Sequence, residues 1–147
     1  MPGEIIPPRR KPENDNEYFE ILTKAVFQAG FSYKVIHNKW DGFREVFEDF
    51  DPEILSRWGD AEIMDALDSE KIVRNVKKIR ATIENASKFL QIVKEYGSFG
   101  QYLDELRPNG YDTMKNSITK QFKWLGKTGA YFLLYSTGED VPAWDKR

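Results

Sequence analysis

The clearest chemistry in this chain sits in its C-terminal segment. It reads Phe122-Lys123-Trp124-Leu125-Gly126-Lys127-Thr128-Gly129-Ala130, then an apolar run from Tyr131 to Tyr135, then Gly138, Val141-Pro142 and Asp145. Gly126 can take a left-handed turn conformation and bring backbone close to a neighbour. A helix opening after it leaves unpaired N–H groups that suit a phosphate. Lys127 adds positive charge at the same spot. The local pattern also fits an ordinary tight turn between helices, and it is no P-loop, because the first glycine of that motif would fall at Gln121. Asp145 supplies a carboxylate, the group needed to oppose a developing cation.

Charge is unevenly distributed around a net value of −2. Lys71 to Arg80 holds Lys71, Arg74, Lys77, Lys78 and Arg80 with no acid, and Lys115 to Lys127 holds Lys115, Lys120, Lys123 and Lys127 with none. Two such stretches in a small domain point toward phosphate contact, against the alternative of solvated helix faces. Between Glu45 and Glu70 the balance reverses, with ten carboxylates against Arg57. Cysteine is absent, which excludes disulfides, thiolate metal sites and cysteine nucleophiles. No signal-peptide core and no membrane-length apolar run is visible, so a soluble cytoplasmic protein is expected. His37, the single histidine, lies in a short helical pattern beside Asn38 and reads as a surface or half-buried polar residue.

The elements that must position these residues are helical. Residues 1–13 read as an irregular arm, because Pro2, Pro7, Pro8 and Pro12 remove backbone donors. Asn14 with Glu17 has capping-box spacing and opens a helix that runs through Phe19, Leu22, Val26 and Phe27 to Gly30. Ser32 to His37 forms a short second helix, Lys39 to Phe50 a third, and Asp51-Pro52 starts another that ends near Gly59. Asp60 begins the next. The longest pattern, from Ile72 through Val93, is stopped by Gly97, and Ser98 with Gln101 opens a further helix to Leu106. With no sustained alternation of period two, the expectation is an all-α orthogonal bundle, with 14–147 as one domain behind the arm.

Gly126-Lys127-Thr128, a helix, Gly138 and then Asp145, 18 positions after Lys127, resembles the second half of the helix-hairpin-helix base-excision DNA glycosylases. The upstream two thirds is similar to the type I 3-methyladenine DNA glycosylases. Their Leu-Glu-Gly-Phe-Gln-Ala-Gly-Leu-Ser-Trp is matched by Lys24-Ala25-Val26-Phe27-Gln28-Ala29-Gly30-Phe31-Ser32-Tyr33. Their Phe-Arg…Phe…Phe-Asp is matched by Phe43-Arg44…Phe47…Phe50-Asp51, and their Ile-Ile-Arg-Asn…Lys-Ile…Asn-Ala by Ile72-Val73-Arg74-Asn75…Lys78-Ile79…Asn85-Ala86.

The resemblance implies a monomeric, cofactor-free enzyme that takes double-stranded DNA with a damaged, alkylated base, flips that base into an aromatic pocket and hydrolyses the N-glycosidic bond. It implies Asp145 as the catalytic carboxylate. Tyr33, in place of the family's pocket tryptophan, would stack on the base together with Tyr18, Phe27 or Trp40. Gly126, Lys127, Thr128, Lys123, Arg74 and Lys78 would contact DNA. Lys127 has two readings, a phosphate contact or a Schiff-base amine giving lyase activity, and the hairpin register favours the first. Two departures stand out. Ala25 replaces the family's pocket glutamate, and the two cysteines and two histidines of the family's structural zinc site are missing, so no metal is expected. A non-catalytic DNA-binding module on the same scaffold is the alternative.

Overall fold

Side-chain caps written in the sequence set most of the helix boundaries. In the computed structural model, which describes residues 9–147, Asn14 accepts the Glu17 N–H at 3.0 Å and opens α1 (Asp15–Gln28). Ser32 likewise caps α2 (Tyr33–Asn38), which leads into α3 (Trp40–Val46). Asp51 accepts the Glu53 N–H ahead of α4 (Pro52–Leu55), with Pro52 in the first turn, where its missing donor costs nothing. After α5 (Asp60–Asp68), Asn75 and Ser98 cap α6 (Val76–Tyr96) and α7 (Phe99–Leu106). α8 (Tyr111–Gln121) and α9 (Lys127–Ser136) complete the chain, and the described residues form helices and turns without strands.

α6 is the spine, against which α1, α4, α5 and α7 pack, while α1 and α8 both pack on α9. One apolar cluster fills the space between them. On one side, Trp40, Phe43, Phe47 and Phe50 stack at ring separations of 4.9 to 6.1 Å; on the other, Phe89 stacks on Phe99 at 4.8 Å. No helix among the described residues is long and apolar enough to cross a membrane.

Two expectations change. The long helix begins at Val76 rather than Ile72, because the Asn75 side chain accepts the Lys78 N–H and fixes the start there. Ile72 is instead a buried anchor in a non-helical link. The third helix stops at Val46 rather than running to Phe50. Glu48, Asp49 and Phe50 then take left-handed φ values of 53°, 53° and 57°, which cost on the order of 1 kcal/mol each. The turn is held because it folds Phe50 back onto Trp40, their ring planes 6° apart. Of the irregular arm, residues 1–8 lie outside the described residues. Residues 9–12 run without secondary structure but are tied down: Arg10 N–H donates to the Ser136 carbonyl at 3.1 Å, Arg9 donates to the Glu139 carbonyl at 2.6 Å, and Pro12 is buried.

Candidate active site

Glu20 and Lys24 lie one helical turn apart on α1 and so share a face. That face, with Tyr33 and His37 of α2, Arg44 of α3 and Ser136 of α9, lines a cavity of about 310 Å³, near the lower end of small-ligand sites. The Glu20 carboxylate is fixed there. Its Oε2 accepts from Trp40 Nε1 at 2.9 Å and from Arg44 Nε at 3.0 Å, with Arg44 Nη2 2.9 Å away. Tyr33 is nearly buried, and its ring stacks on His37 at 5.3 Å and meets Phe132 at 5.9 Å. Burial pushes its phenol above the usual range. Ser136, 5% exposed, lies in the cavity wall, and its buried hydroxyl oxygen has no hydrogen-bond partner among the described residues.

Lys24 Nζ sits 3.2 Å from His37 Nδ1, 4.8 Å from the centre of the Tyr33 ring and 5.3 Å from that of Trp40. No carboxylate of the described residues lies within ion-pair distance of it. Desolvation lowers its pKa to about 8; Glu20 opposes the shift and Arg44 adds to it. An unfolded chain keeps this amine protonated up to about 10.5, whereas the folded chain releases the proton above about 8. In that window the unfolded state binds more protons, so stability rises with pH. Unfolding measured between about pH 8 and 10.5 is expected to show wild type gaining stability relative to Lys24→Met. A flat difference would place the amine in solvent.

Of the aromatics expected in the pocket, the structure brings Tyr33 to the cavity and turns the others elsewhere. Phe27 is fully buried between Phe43 and Phe47, at 4.9 and 5.8 Å, because it lies on the α1 stripe facing the core. Tyr18 packs on Phe99 at 5.1 Å, and burial pushes its hydroxyl up to about 12. Trp40 is 3% exposed and is not a stacking surface. It acts from behind, donating its indole N–H to the cavity carboxylate.

The turn between α8 and α9 is the second region of interest. Buried Asn85 of α6 grips it by its backbone, accepting the Lys123 N–H at 2.8 Å and donating to the Lys123 carbonyl at 3.1 Å. The left-handed residue is Trp124, φ 59°, and not Gly126, whose φ is −88°. A Cβ on Gly126 would meet nothing within 4 Å, so neither strain nor packing demands glycine there. No side chain caps α9, and its first N–H groups lie beside the exposed Lys127 and Thr128. The two basic stretches meet at this turn: Lys77 Nζ lies 5.9 Å from the ring of Trp124, which is 53% exposed. Lys123 and Arg74 are exposed, but Lys78 is not available to DNA. It is 4% exposed and donates to the carbonyls of Phe27 at 3.1 Å and of Ala29. Buried among apolar neighbours, its amine satisfies the carbonyls that α1 leaves at its C-terminal end.

Asp145 is exposed on a final 3₁₀ turn and is not among the residues lining the Tyr33 cavity. That turn is nonetheless anchored. Arg147 Nε donates to Thr128 Oγ1 at 3.0 Å, Tyr131 donates its hydroxyl proton to the Pro142 carbonyl at 2.9 Å, and the Trp144 ring meets Tyr131 at 5.4 Å. Asp145 therefore belongs to the α9 N-terminus rather than to the cavity. Ala25 lies buried at the α1–α9 crossing. With no cysteine and a single histidine engaged by Tyr33 and Lys24, the donor set does not fit a thiolate–imidazole zinc site.

Sequence reasoning missed Glu20, Lys24, Ser136 and the exposed Trp124. The α1 charges at spacing four were legible, but such a pair usually marks a solvated face. Ser136 carries no sequence signal.

A family model described as Methyladenine glycosylase matches residues 10–130. The DNA-3-methyladenine glycosylase of Haemophilus influenzae is 28% identical over 94 residues, covering 63% of this chain and 51% of that protein. The chain thus spans about half the length of that relative. DNA-3-methyladenine glycosylase 1 of Escherichia coli is 24% identical, covering 86% of this chain and 79% of its own. The structure of 3-methyladenine DNA glycosylase I from Staphylococcus aureus superposes with a TM-score of 0.78 at 24% identity, covering 88% and 79% of the two chains. At that identity the likeness carries the fold.

Proposed function

We propose that this chain, which belongs to the methyladenine glycosylase family, is a DNA glycosylase that excises an alkylated base from double-stranded DNA. The observation that carries this reading is the cavity in which an aromatic ring, a fixed carboxylate and an orphaned hydroxyl converge at Tyr33, Glu20 and Ser136. A base flipped out of the stack would lie on Tyr33, with Ser136 supplying a hydrogen bond to its edge. Glycosidic bond cleavage leaves positive charge on the sugar, and a carboxylate already oriented opposes that charge without reorganising. Of the two carboxylates that line the cavity, Glu17 is paired with Arg10, and Glu20 is the one held by the Trp40 indole and Arg44. It stands five residues before Ala25, so the acid comes from the same helix at a different register than in the resembling family. Asp145, on the final 3₁₀ turn, does not line this cavity and is not placed to meet the sugar.

The turn between α8 and α9 supplies the phosphate contacts, with the uncapped N–H groups of α9, Lys123 and Lys127 on one side and Lys77 across Trp124. Replacing Lys77, Lys123 and Lys127 by alanine is expected to flatten the dependence of duplex affinity on salt by roughly 2 to 3 in log–log slope, at about 0.9 per phosphate. An unchanged slope would assign these lysines to solvent. The deciding experiment is release of free base from methylated duplex DNA, followed by chromatography of the soluble products. Release by wild type supports the enzyme. Tight duplex binding without release would leave a DNA-binding module.

A further inference from the structure

We propose that Lys24 sets the base specificity of the cavity: its ammonium turns away cationic alkylated bases and favours neutral ones that present a carbonyl oxygen or a ring-nitrogen acceptor. The inference rests on the glycosylase reading, which it deepens by naming the class of base. The balance of charge in the cavity carries it. Arg10, Lys24 and Arg44 line the cavity together with Glu17 and Glu20. Each carboxylate already has its own arginine, Glu17 with Arg10 at 3.2 Å and Glu20 with Arg44 at 2.9 Å. The positive charge left over is that of Lys24, which has no carboxylate within ion-pair distance among the described residues. It sits where the base must go. Nζ lies 4.8 Å from the centre of the Tyr33 ring, the surface on which a flipped base would stack, and 5.3 Å from that of Trp40. An ammonium offers three donors and no acceptor. His37 Nδ1, 3.2 Å away, engages one, and the others have no acceptor among the described residues. The neighbouring Ala25 is buried and brings no acid.

The reaction widens the difference between the two classes of base. When a neutral base leaves, the C1′–N bond breaks with its electron pair on the base, which is anionic until it takes a proton. A hydrogen bond from Lys24 to an acceptor on that base strengthens as the negative charge grows, so it acts more in the transition state than in the ground state. Water adds its hydroxyl to C1′, its proton ends on the base, and Lys24 stays an ammonium throughout. A cationic base leaves neutral and gains nothing from the ammonium, while its own charge is repelled on entry. At about 5 Å and an effective dielectric near 20, two like unit charges disfavour each other by more than about 100-fold. Lys24 is half-buried, and screening by solvent reduces the effect to roughly 10- to 100-fold. Even with its pKa lowered to about 8, the ammonium is the main form at neutral pH.

The test uses two bases with a methyl group at the same ring position. At neutral pH, 1-methylguanine is neutral with a carbonyl at C6, whereas 1-methyladenine is cationic with an amino group there. The intact chain is titrated calorimetrically with the two methylated deoxynucleosides, and release of each base is followed from duplexes that carry one of them at a defined position. Wild type and Lys24→Arg are expected to favour 1-methylguanine by roughly 10- to 100-fold in binding and in release. Lys24→Met is expected to bring the two within a few-fold of each other, by weakening 1-methylguanine and improving 1-methyladenine. A gain for the cationic base is something that mere damage to the pocket would not produce. Equal affinity for both in wild type, a preference for the cation, or a preference unchanged in Lys24→Met overturns the inference. Preferential binding of 1-methylguanine without release from either duplex would count against the glycosylase reading alone. Release of both bases at equal rates would count against Lys24 alone, and neither binding nor release would count against both.

Discussion

Replacing Glu20 by glutamine is expected to lower the rate of base release from methylated duplex DNA by about 10²- to 10³-fold, the scale for losing one preorganised charge at a transition state. Duplex affinity should stay unchanged, because the charge matters only as the sugar becomes cationic. Glutamine keeps the shape of the side chain and removes the negative charge. It also presents an amide to two Arg44 donors and the Trp40 indole, so a structural contribution must be separated from the catalytic one. Arg44→Met does this: it breaks the same ion pair but leaves the carboxylate, and its effect should be far smaller. Asp145→Asn is expected to release base at close to the wild-type rate, since Asp145 does not line the cavity. A Glu20→Gln protein as active as wild type, with Asp145→Asn inactive, would move the chemistry to the last turn.

The second large effect is expected at Asn85. Its side chain makes both backbone hydrogen bonds of Lys123 from a position 1% exposed, and Lys123 directly precedes the left-handed Trp124. Asn85→Ala strands a backbone donor and acceptor in a part-buried setting, which costs about 1–3 kcal/mol for each group left without a partner. The turn also carries the left-handed strain of a non-glycine residue, so it has little reserve. We expect a loss of about 3 kcal/mol in unfolding free energy together with weaker duplex binding, because the released turn no longer aligns the α9 N-terminus with its phosphate. Asn85→Asp should retain part of the stability, since its carboxylate still accepts the Lys123 N–H while the bond to the Lys123 carbonyl is lost. Thermal unfolding and duplex titration measure the two effects. Wild-type affinity in Asn85→Ala would show that the turn does not depend on α6.

Much of the helical scaffold was legible because caps act locally. Asn14, Ser32, Asp51 and Ser98 each bond to an N–H two or three residues ahead, an interaction that depends on neighbouring positions and little else. Boundaries set by distant partners were not legible. Nothing near Phe50 announces a left-handed turn; its cause is a ring on Trp40, ten positions upstream. Lys78 shows the same limit at the site level. In a basic stretch it reads as a surface charge, yet the two carbonyls it satisfies lie about fifty positions upstream, and burial reverses its role.

The sequence by itself determined an all-helical chain, the absence of thiolate chemistry, two basic stretches and an ordered set of motifs that matched the family. These follow from composition and short spacings, which survive any arrangement of the helices. Only the tertiary structure decided which residues share a cavity. Glu20 and Lys24 look like an exposed charge pair until α2, α3 and α9 close over them, and Asp145 looks like the partner of Tyr33 until its turn docks on the start of α9 instead. Desolvation, orphaned hydroxyls and shifted protons arise from that enclosure, and enclosure is a property of packing between elements that no single segment encodes.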